Sequence, residues 1–264
     1  MKVKLLSYNI LNGFCGDTPL FVVDKRRLRA GIKILHQAKA DVVGLQEAFI
    51  YPLAEQTTSY ASFFKSLYID RYIPQTYFRF APLTLSHFKQ TFRDLSTDKC
   101  KCLETTLLIR KKKLIIWNIH TGHDISDESR VQLIEALFKK SKPDIIMGDF
   151  NGTSQVDPYD REKLCTAFSR FMKEGASDKV RDLLKGALAT KLLDAGYQDS
   201  FLVSKKPWHY TIPTNMRSKN KDSGVRIDFI FLRKRLKVVD AGIIMSKETE
   251  VASDHYPVYA IIEI

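Results

Sequence analysis

The sequence is poor in cysteine and has no long apolar run. Its 264 residues include four cysteines, Cys15, Cys100, Cys102 and Cys165. Only Cys100 and Cys102 lie close together, and no second pair completes a zinc site. Reduced thiols in a cytoplasmic protein are the simplest account. No stretch approaches the ~18 apolar residues of a membrane-spanning helix. Met1 to Asn9 runs straight into a strand pattern, without the apolar segment and cleavage site of a secretory signal. Repeats, low-complexity tracts and linkers are missing too, so one domain over residues 1–264 is expected.

What the chain has in excess is positive charge. The net charge is +12, against an ordinary 44% of hydrophobic and 27% of charged residues. Such a chain is drawn to polyanions: nucleic acid, anionic lipid head groups or phosphorylated small molecules. A diffuse charge that only aids solubility is the bland alternative, and the position of the cations along the fold separates the two.

The clearest local signal is Ile145-Ile146-Met147-Gly148-Asp149-Phe150-Asn151. An apolar run rises into Gly-Asp-Phe-Asn and breaks at Gly152-Thr153-Ser154, as a buried strand does at its end. Asp149 and Asn151 are two apart, so on a strand they share a face. An acid that moves a proton and an amide that donates to a phosphoryl oxygen suit a phosphate-handling site. The same residues also suit a plain turn.

Other strands end in the same way. Lys2 to Tyr8 leads to Asn9, and Asp41 to Gln46 leads to Glu47, with a helix over 25–40 between them. This is a βαβ-like unit with polar strand ends. Residues 103–109 and 114–119 form a hairpin around Arg110–Lys113, and its second strand reaches His120. A helix over 128–140 precedes the Gly-Asp-Phe-Asn strand. Two amphipathic helices are expected over 160–173 and 178–191, with Gly175 capping the first. Strands over 226–232, 237–244 and 258–264 follow. Tyr60, Phe63, Phe64, Leu67 and Tyr68 have helical spacing and are expected in the core.

Ser-Tyr-Asn-Ile, Gly-Leu-Gln-Glu, Asn-Ile-His, Gly-Asp-Phe-Asn, Arg-Ile-Asp-Phe-Ile and Ser-Asp-His-Tyr-Pro-Val appear in that order. Each is short, but the ordered series resembles the endonuclease/exonuclease/phosphatase superfamily along nearly the whole chain. The superfamily includes pancreatic deoxyribonuclease, abasic-site endonucleases of the exonuclease III kind, poly(A)-shortening nucleases, neutral sphingomyelinases and inositol polyphosphate 5-phosphatases. The resemblance implies an α/β fold, a four-layer α/β sandwich of two packed mixed sheets flanked by helices. It also implies a divalent cation, Mg2+ or Mn2+.

Carried over position by position, the resemblance makes Glu47 the main metal ligand, with Asn9 beside it and Asp254 next to the metal region. His255 becomes the catalytic histidine and Asp228 its orienting carboxylate. Asp149 handles the attacking water or the leaving oxygen, and the division of proton transfer between Asp149 and His255 stays open. Asn151 and His120 hold the non-bridging oxygens. His123 is either a phosphate contact or a solvated loop residue. Arg130 either stabilises the loop after His120 or, more simply, is a helix-surface arginine, and His36, His87 and His209 read as structural. The chain departs from the family pattern in two places. Residues 70–102 contain no clean Gly-containing hairpin, and two extra helices lengthen the exit from Asn151.

Strand direction sorts the basic residues. Arg110–Lys113 and Arg233–Arg235 fall at the end away from His120 and Asp228, roughly 20 Å off for a six-residue strand. Arg217, Lys219, Lys221 and Arg226 precede Asp228 on the active side and are candidates to track a phosphate backbone. Tyr210 and Trp208 offer a stacking face, or simply belong to the core. The expected activity is metal-dependent phosphodiester hydrolysis, with DNA or RNA the first substrate class. A phospholipid head group or a small phosphorylated metabolite is the second. A non-catalytic binding module on the same fold is the third, and the retention of Glu47, Asp149 and His255 speaks against it. No obligate protein partner is expected.

Overall fold

A computed structural model describes residues 1–15, 24–48, 82–172 and 174–264. In chain order the strands are β1 (Lys2–Asn9), β2 (Val42–Gln46), β3 (Leu83–Ser86), β4 (Lys89–Asp94), β5 (Cys100–Ile109) and β6 (Lys112–Thr121). They continue with β7 (Ile145–Asp149), β8 (Tyr197–Asp199), β9 (Asp228–Arg233), β10 (Lys237–Ile243) and β11 (Val258–Glu263). The helices are α1 (Lys25–Ala38), α2 (Asp127–Lys140), α3 (Arg161–Phe168) and α4 (Ala176–Leu183). After them come α5 (Ala187–Asp194), α6 (Ser200–Ser204) and α7 (Thr249–Ala252).

The strands form two mixed sheets, ordered β10-β11-β1-β2-β3 and β4-β5-β6-β7-β9-β8. Alternation along each strand makes the layers. Val3 and Leu5 of β1 face the other sheet, where they join Ile116, Ile145, Met147 and Ile230 in one core. Leu6 and Tyr8 face outward and pack with Ile34 and Leu35 of α1. On the far side, Trp117, Ile119 and Ile146 pack against Ile134 and Leu137 of α2 and Leu188 of α5. Helix, sheet, sheet, helix is the expected four-layer α/β sandwich.

The same alternation sets the site. The inter-sheet rows of the chain read Val3-Leu5-Ser7-Asn9, Leu114-Ile116-Asn118-His120, Ile145-Met147-Asp149 and Leu232-Ile230-Asp228. Each row is apolar in the middle of the sandwich and polar at one end. Where the rows end, the core opens into a cluster of acids, amides and imidazoles.

Two expectations about the extra helices change. The segment expected as one helix over 178–191 is two, α4 and α5, broken where Gly186 takes a left-handed φ of 56°. Gly175 also has positive φ, 75°, but it stands at the N-terminal boundary of α4. Over residues 82–102 the chain forms β3 and β4, which pair with β2 and β5 in different sheets and not with each other, so no Gly-containing hairpin stands among these described residues. Because β4 is mostly exposed, its residues Lys89–Asp94 carry no strong apolar alternation. The helix expected around Tyr60 to Tyr68 lies outside the described residues. Among those residues, no helix is long and apolar enough to cross a membrane.

Candidate active site

Sheet register brings three of the expected residues to one level. His120 of β6 pairs across to Asp149 of β7, and Asp149 pairs across to Asp228 of β9. Gly148 lets β7 run this close: its φ is +149°, and a Cβ there would sit 1.9 Å from the carbonyl oxygen of Ile119. The glycine of Gly-Asp-Phe-Asn is therefore a steric requirement of the strand that presents the acid.

His255 is buried and its Nδ1 lies 2.9 Å from Oδ2 of Asp228. Its Nε2 points toward Asp149, 3.8 Å from Oδ2, with Asp254 Oδ1 at 4.0 Å. Burial alone would depress the imidazole pKa, but Asp228 and then Asp149 prevail and hold it well above its usual value. Burial in turn raises the pKa of Asp228 against the pull of His255. Thr211, fully buried, frames the pair. Its hydroxyl accepts from the backbone N–H of Ile227 (3.0 Å) and of Asp228 (3.2 Å), and its carbonyl accepts from Tyr256 N–H (2.7 Å). Sequence reasoning missed Thr211, because a threonine in a polar-aromatic stretch carries no motif.

Glu47 faces this pair from the other sheet. Strand parity would aim it at α1, but its backbone turns to a left-handed φ of 52° at the end of β2. Its Oε1 then lies 3.9 Å from His120 Nε2, and its Oε2 accepts from Asn12 N–H at 2.9 Å. Asn9 lies beside Glu47, donating its amide to Glu47 (3.2 Å) and to Asp149 (3.0 Å), while its oxygen accepts from Leu11 N–H (3.0 Å). Asn9 thus holds two carboxylates in place, with its own oxygen already engaged.

The residues fit a hard divalent cation. Among the described residues, Glu47, Asp149 and Asp254 form ion pairs only with His120 and His255, never with lysine or arginine. Asp149, Asp228 and His255 present ligand-type atoms within 4.8 Å of one another. The bond between Asp228 Oδ2 and His255 Nδ1 engages one atom of each, while Asp228 Oδ1 is buried without a hydrogen-bond partner and the Glu47 and Asp149 carboxylates add oxygen donors. Oxygen donors without thiolate match magnesium or manganese better than a soft metal. Beneath the site, Gln46 Nε2 donates to Asn118 Oδ1 (2.6 Å) and Asn118 donates to the carbonyls of Leu45 (3.1 Å) and Leu83 (3.0 Å). This buried polar bridge ties the two sheets together directly under the carboxylates.

His120 Nε2 lies 3.5 Å from Asp149 Oδ2. Asn151 does not continue β7, as the two-residue spacing suggested. It takes a left-handed φ of 45°, donates its N–H to Asp149 Oδ1 (2.9 Å) and donates one amide hydrogen to Thr121 O (2.8 Å). The amide carries a second hydrogen for the cleft. Of the two readings of Arg130 the helix-surface one is corrected: it is buried and donates to Gly122 O at 3.0 Å, bracing the loop after His120. Arg27, unremarked in the sequence, braces the other side. Buried, it donates to the carbonyls of Ala252 (2.9 Å), Leu11 (2.8 Å) and Ile10 (3.2 Å). One guanidinium so joins the loop after Asn9 to the turn before Asp254.

Several expected substrate contacts move. Arg226 is 1% exposed and lies between Asp157 (2.8 Å) and Asp199 (2.7 Å), so it cannot reach a substrate. Lys221 donates to the carbonyls of Pro213 and Ser218, both at 2.9 Å, and shapes its own loop. Tyr210 packs on Gly224 and against Tyr256, and Trp208 packs edge-on against Tyr159. Neither ring lines the cleft. Arg217 and Lys219 are exposed, and Arg217 lies at a cleft of about 640 Å³. That cleft begins at Asn151 and His123 and is walled by Phe168, Phe171, Leu183, Ile212, Val225 and Ile227. The distant cations stay distant: Arg233 is bound to Ala195 and Pro143 carbonyls, and Arg110 and Lys111 turn at the far end of β5 and β6.

A family model described as the Endonuclease/Exonuclease/phosphatase family matches residues 6–255, and the chain belongs to that family. It is accordingly a divalent-metal-dependent phosphoester hydrolase. Three solved structures of comparable fold bracket the range of relatives. TDP2 of D. rerio, complexed with single strand DNA product, is 19% identical, with TM-score 0.62, covering 100% of this chain and 99% of its own. The 3′ phosphatase NExo from Neisseria, bound to product DNA hairpin, is 15% identical, with TM-score 0.67, covering 99% and 100%. The Bacteroides thetaiotaomicron mannosyl-6-phosphatase is 16% identical, with TM-score 0.62, covering 99% and 100%. At these identities the likeness is one of fold. No curated protein sequence matches the chain at a significant level.

Proposed function

We propose that the protein is a magnesium- or manganese-dependent phosphodiesterase acting on nucleic acid. The observation that carries this reading is the buried Asp228–His255 pair, with Nδ1 at 2.9 Å from the acid and Nε2 turned toward Asp149. Two neighbours, TDP2 and NExo, were solved with DNA products, and the chain's charge of +12 suits a polyanion. The mannosyl-6-phosphatase supports the second reading, a small phosphorylated substrate at the same site. The four cysteines, all free and three of them buried, suit a reducing compartment such as the cytoplasm.

In the proposed mechanism Glu47 and Asp254 hold the cation, which, when bound, withdraws charge from the phosphoryl group. Asn9 keeps Glu47 and Asp149 at their spacing. His255, kept protonated by Asp228, donates from Nε2 to a phosphoryl oxygen. Asp149 orients the attacking water through Oδ2 and accepts its proton as the new P–O bond forms. The P–O bond to the leaving oxygen breaks in the same displacement, and that oxygen takes a proton from solvent water. His120 and the free amide hydrogen of Asn151 bind the non-bridging oxygens as charge builds on them.

The test is hydrolysis across a panel containing abasic-site duplex, plain duplex, single-stranded DNA, RNA, a phosphoinositide, sphingomyelin and a simple aryl phosphodiester. Magnesium- or manganese-dependent cleavage of a nucleic acid supports the proposal. Turnover confined to lipid or small phosphoesters transfers it to the second reading.

A further inference from the structure

The cleft beyond Asn151 has two features that the hydrolytic chemistry does not use. Its walls are apolar and aromatic, and its rim is basic. Phe168 and Phe171 come from α3 and the turn after it, with ring centroids 5.8 Å apart. Phe171 is 63% exposed, so its ring face is open to a ligand in the cleft. Lys179 of α4 and Arg217 of the loop before Asp228 stand at the rim. Lys179 is fixed by donating to His123 O at 2.7 Å. The acid there, Asp124, is already paired with Lys99 at 2.8 Å.

We propose that this cleft receives an unpaired nucleobase of the substrate, adjacent to the phosphodiester being hydrolysed. The inference rests on the nucleic-acid reading above and narrows it to ends, gaps or single strands. Three observations lead to it. The cleft volume of about 640 Å³ is in the range of small-ligand sites, and the cleft is continuous with Asn151. Its wall offers both stacking faces and polar edges, because Ser218 and Ser223 line it beside the phenylalanines. A base has apolar faces and a hydrogen-bonding edge and satisfies both. Both hydroxyls already bond within the loop, Ser218 to Asn220 O at 3.1 Å and Ser223 to the same carbonyl at 3.5 Å. The polar group an acyl chain would leave facing hydrocarbon is therefore the side-chain amide of Asn151, beside a cationic edge that suits a phosphate-bearing ligand. Finally, Lys179 and Arg217 line the same cleft and supply cations for the phosphates flanking an inserted base. A base still stacked and paired in a duplex has its faces covered and cannot enter.

The sequence left Trp208 and Tyr210 as either a stacking face or core residues. Both rings are used internally, and the aromatic wall comes instead from the insertion that lengthens the exit from Asn151.

The experiment separates the cleft from the chemistry. Binding is read by fluorescence anisotropy in EDTA, with the full chain and two oligomers of equal length and charge. One is a short single-stranded oligonucleotide, and the other is the same backbone without bases. The wild type should bind the base-bearing oligomer about tenfold more tightly. Phe171→Ala, a change at an exposed side chain, should remove most of that preference with thermal stability kept. Arg217→Ala should weaken both oligomers and lower the salt slope by about one. Equal binding of the two oligomers by the wild type overturns the proposal. So does a preference that survives in Phe171→Ala and Phe168→Ala alike. Phe171-dependent binding to phosphatidylglycerol vesicles, without base preference, also overturns it in favour of a lipid. Hydrolysis of an aryl phosphodiester with magnesium is measured in parallel. If it persists while base preference is absent, the cleft assignment alone fails. If base preference is present but no phosphoester is hydrolysed, the activity assignment alone fails.

Discussion

Asp228 Oδ2 lies 2.9 Å from Nδ1 of His255, inside a pocket that leaves both side chains almost wholly buried. The acid fixes the ring's orientation and keeps its other nitrogen aimed at Asp149.

This pairing sets a titration. In metal-free protein the His255 imidazole should titrate well above ~6.5, the usual value. Its contribution to stability is then complete below pH ~6.5 and is lost as the pH rises through the raised folded-state value. Asp228→Asn removes the strongest of the three carboxylate charges that raise it and leaves burial, which lowers it. NMR titration of the ring should show the pKa fall in the variant. An unchanged value would mean that Asp228 does not govern the histidine.

Glu47 is the carboxylate on the far side of the cluster. Glu47→Gln keeps an acceptor for Asn12 N–H, so the turn at φ 52° should persist. Metal affinity should fall by at least about tenfold, read by calorimetry and by the metal concentration at half-maximal turnover. An unaltered metal requirement would remove Glu47 from the cation site.

Arg226 answers to stability. It is buried between Asp157 and Asp199, and deleting it strands two carboxylates. Arg226→Met should cost about 3–5 kcal/mol in urea unfolding. A stable variant with weakened substrate binding would restore the role that the sequence suggested.

Gly148 should resist even alanine. A Cβ 1.9 Å from Ile119 O at φ +149° forces β6 and β7 apart directly before Asp149. Gly148→Ala should lose about 2–4 kcal/mol and most of the activity together. Wild-type stability and turnover in this variant would contradict the packing described here.

The layers and strand ends were legible because they obey local rules. Apolar runs in β1, β6, β7 and β9 mark buried strands, and the polar residue closing each run stands out against it. What escaped was set by tertiary contacts. The burial of Arg27, Arg130 and Arg226 depends on carbonyls and carboxylates brought from distant segments, and an arginine in a basic sequence looks like any solvated one. The reversal of Glu47 and the bend at Asn151 come from left-handed backbone at non-glycine residues, which strand parity cannot anticipate. The break at Gly186 was visible as a glycine inside a helical pattern, and it marks where α4 ends and α5 begins.

The most direct measurement is turnover of the best panel substrate with magnesium by wild type, His255→Ala and Asp149→Asn. Each variant should retain its folding transition and lose activity by about two orders of magnitude or more. Full activity in either variant would contradict the assignment of the site.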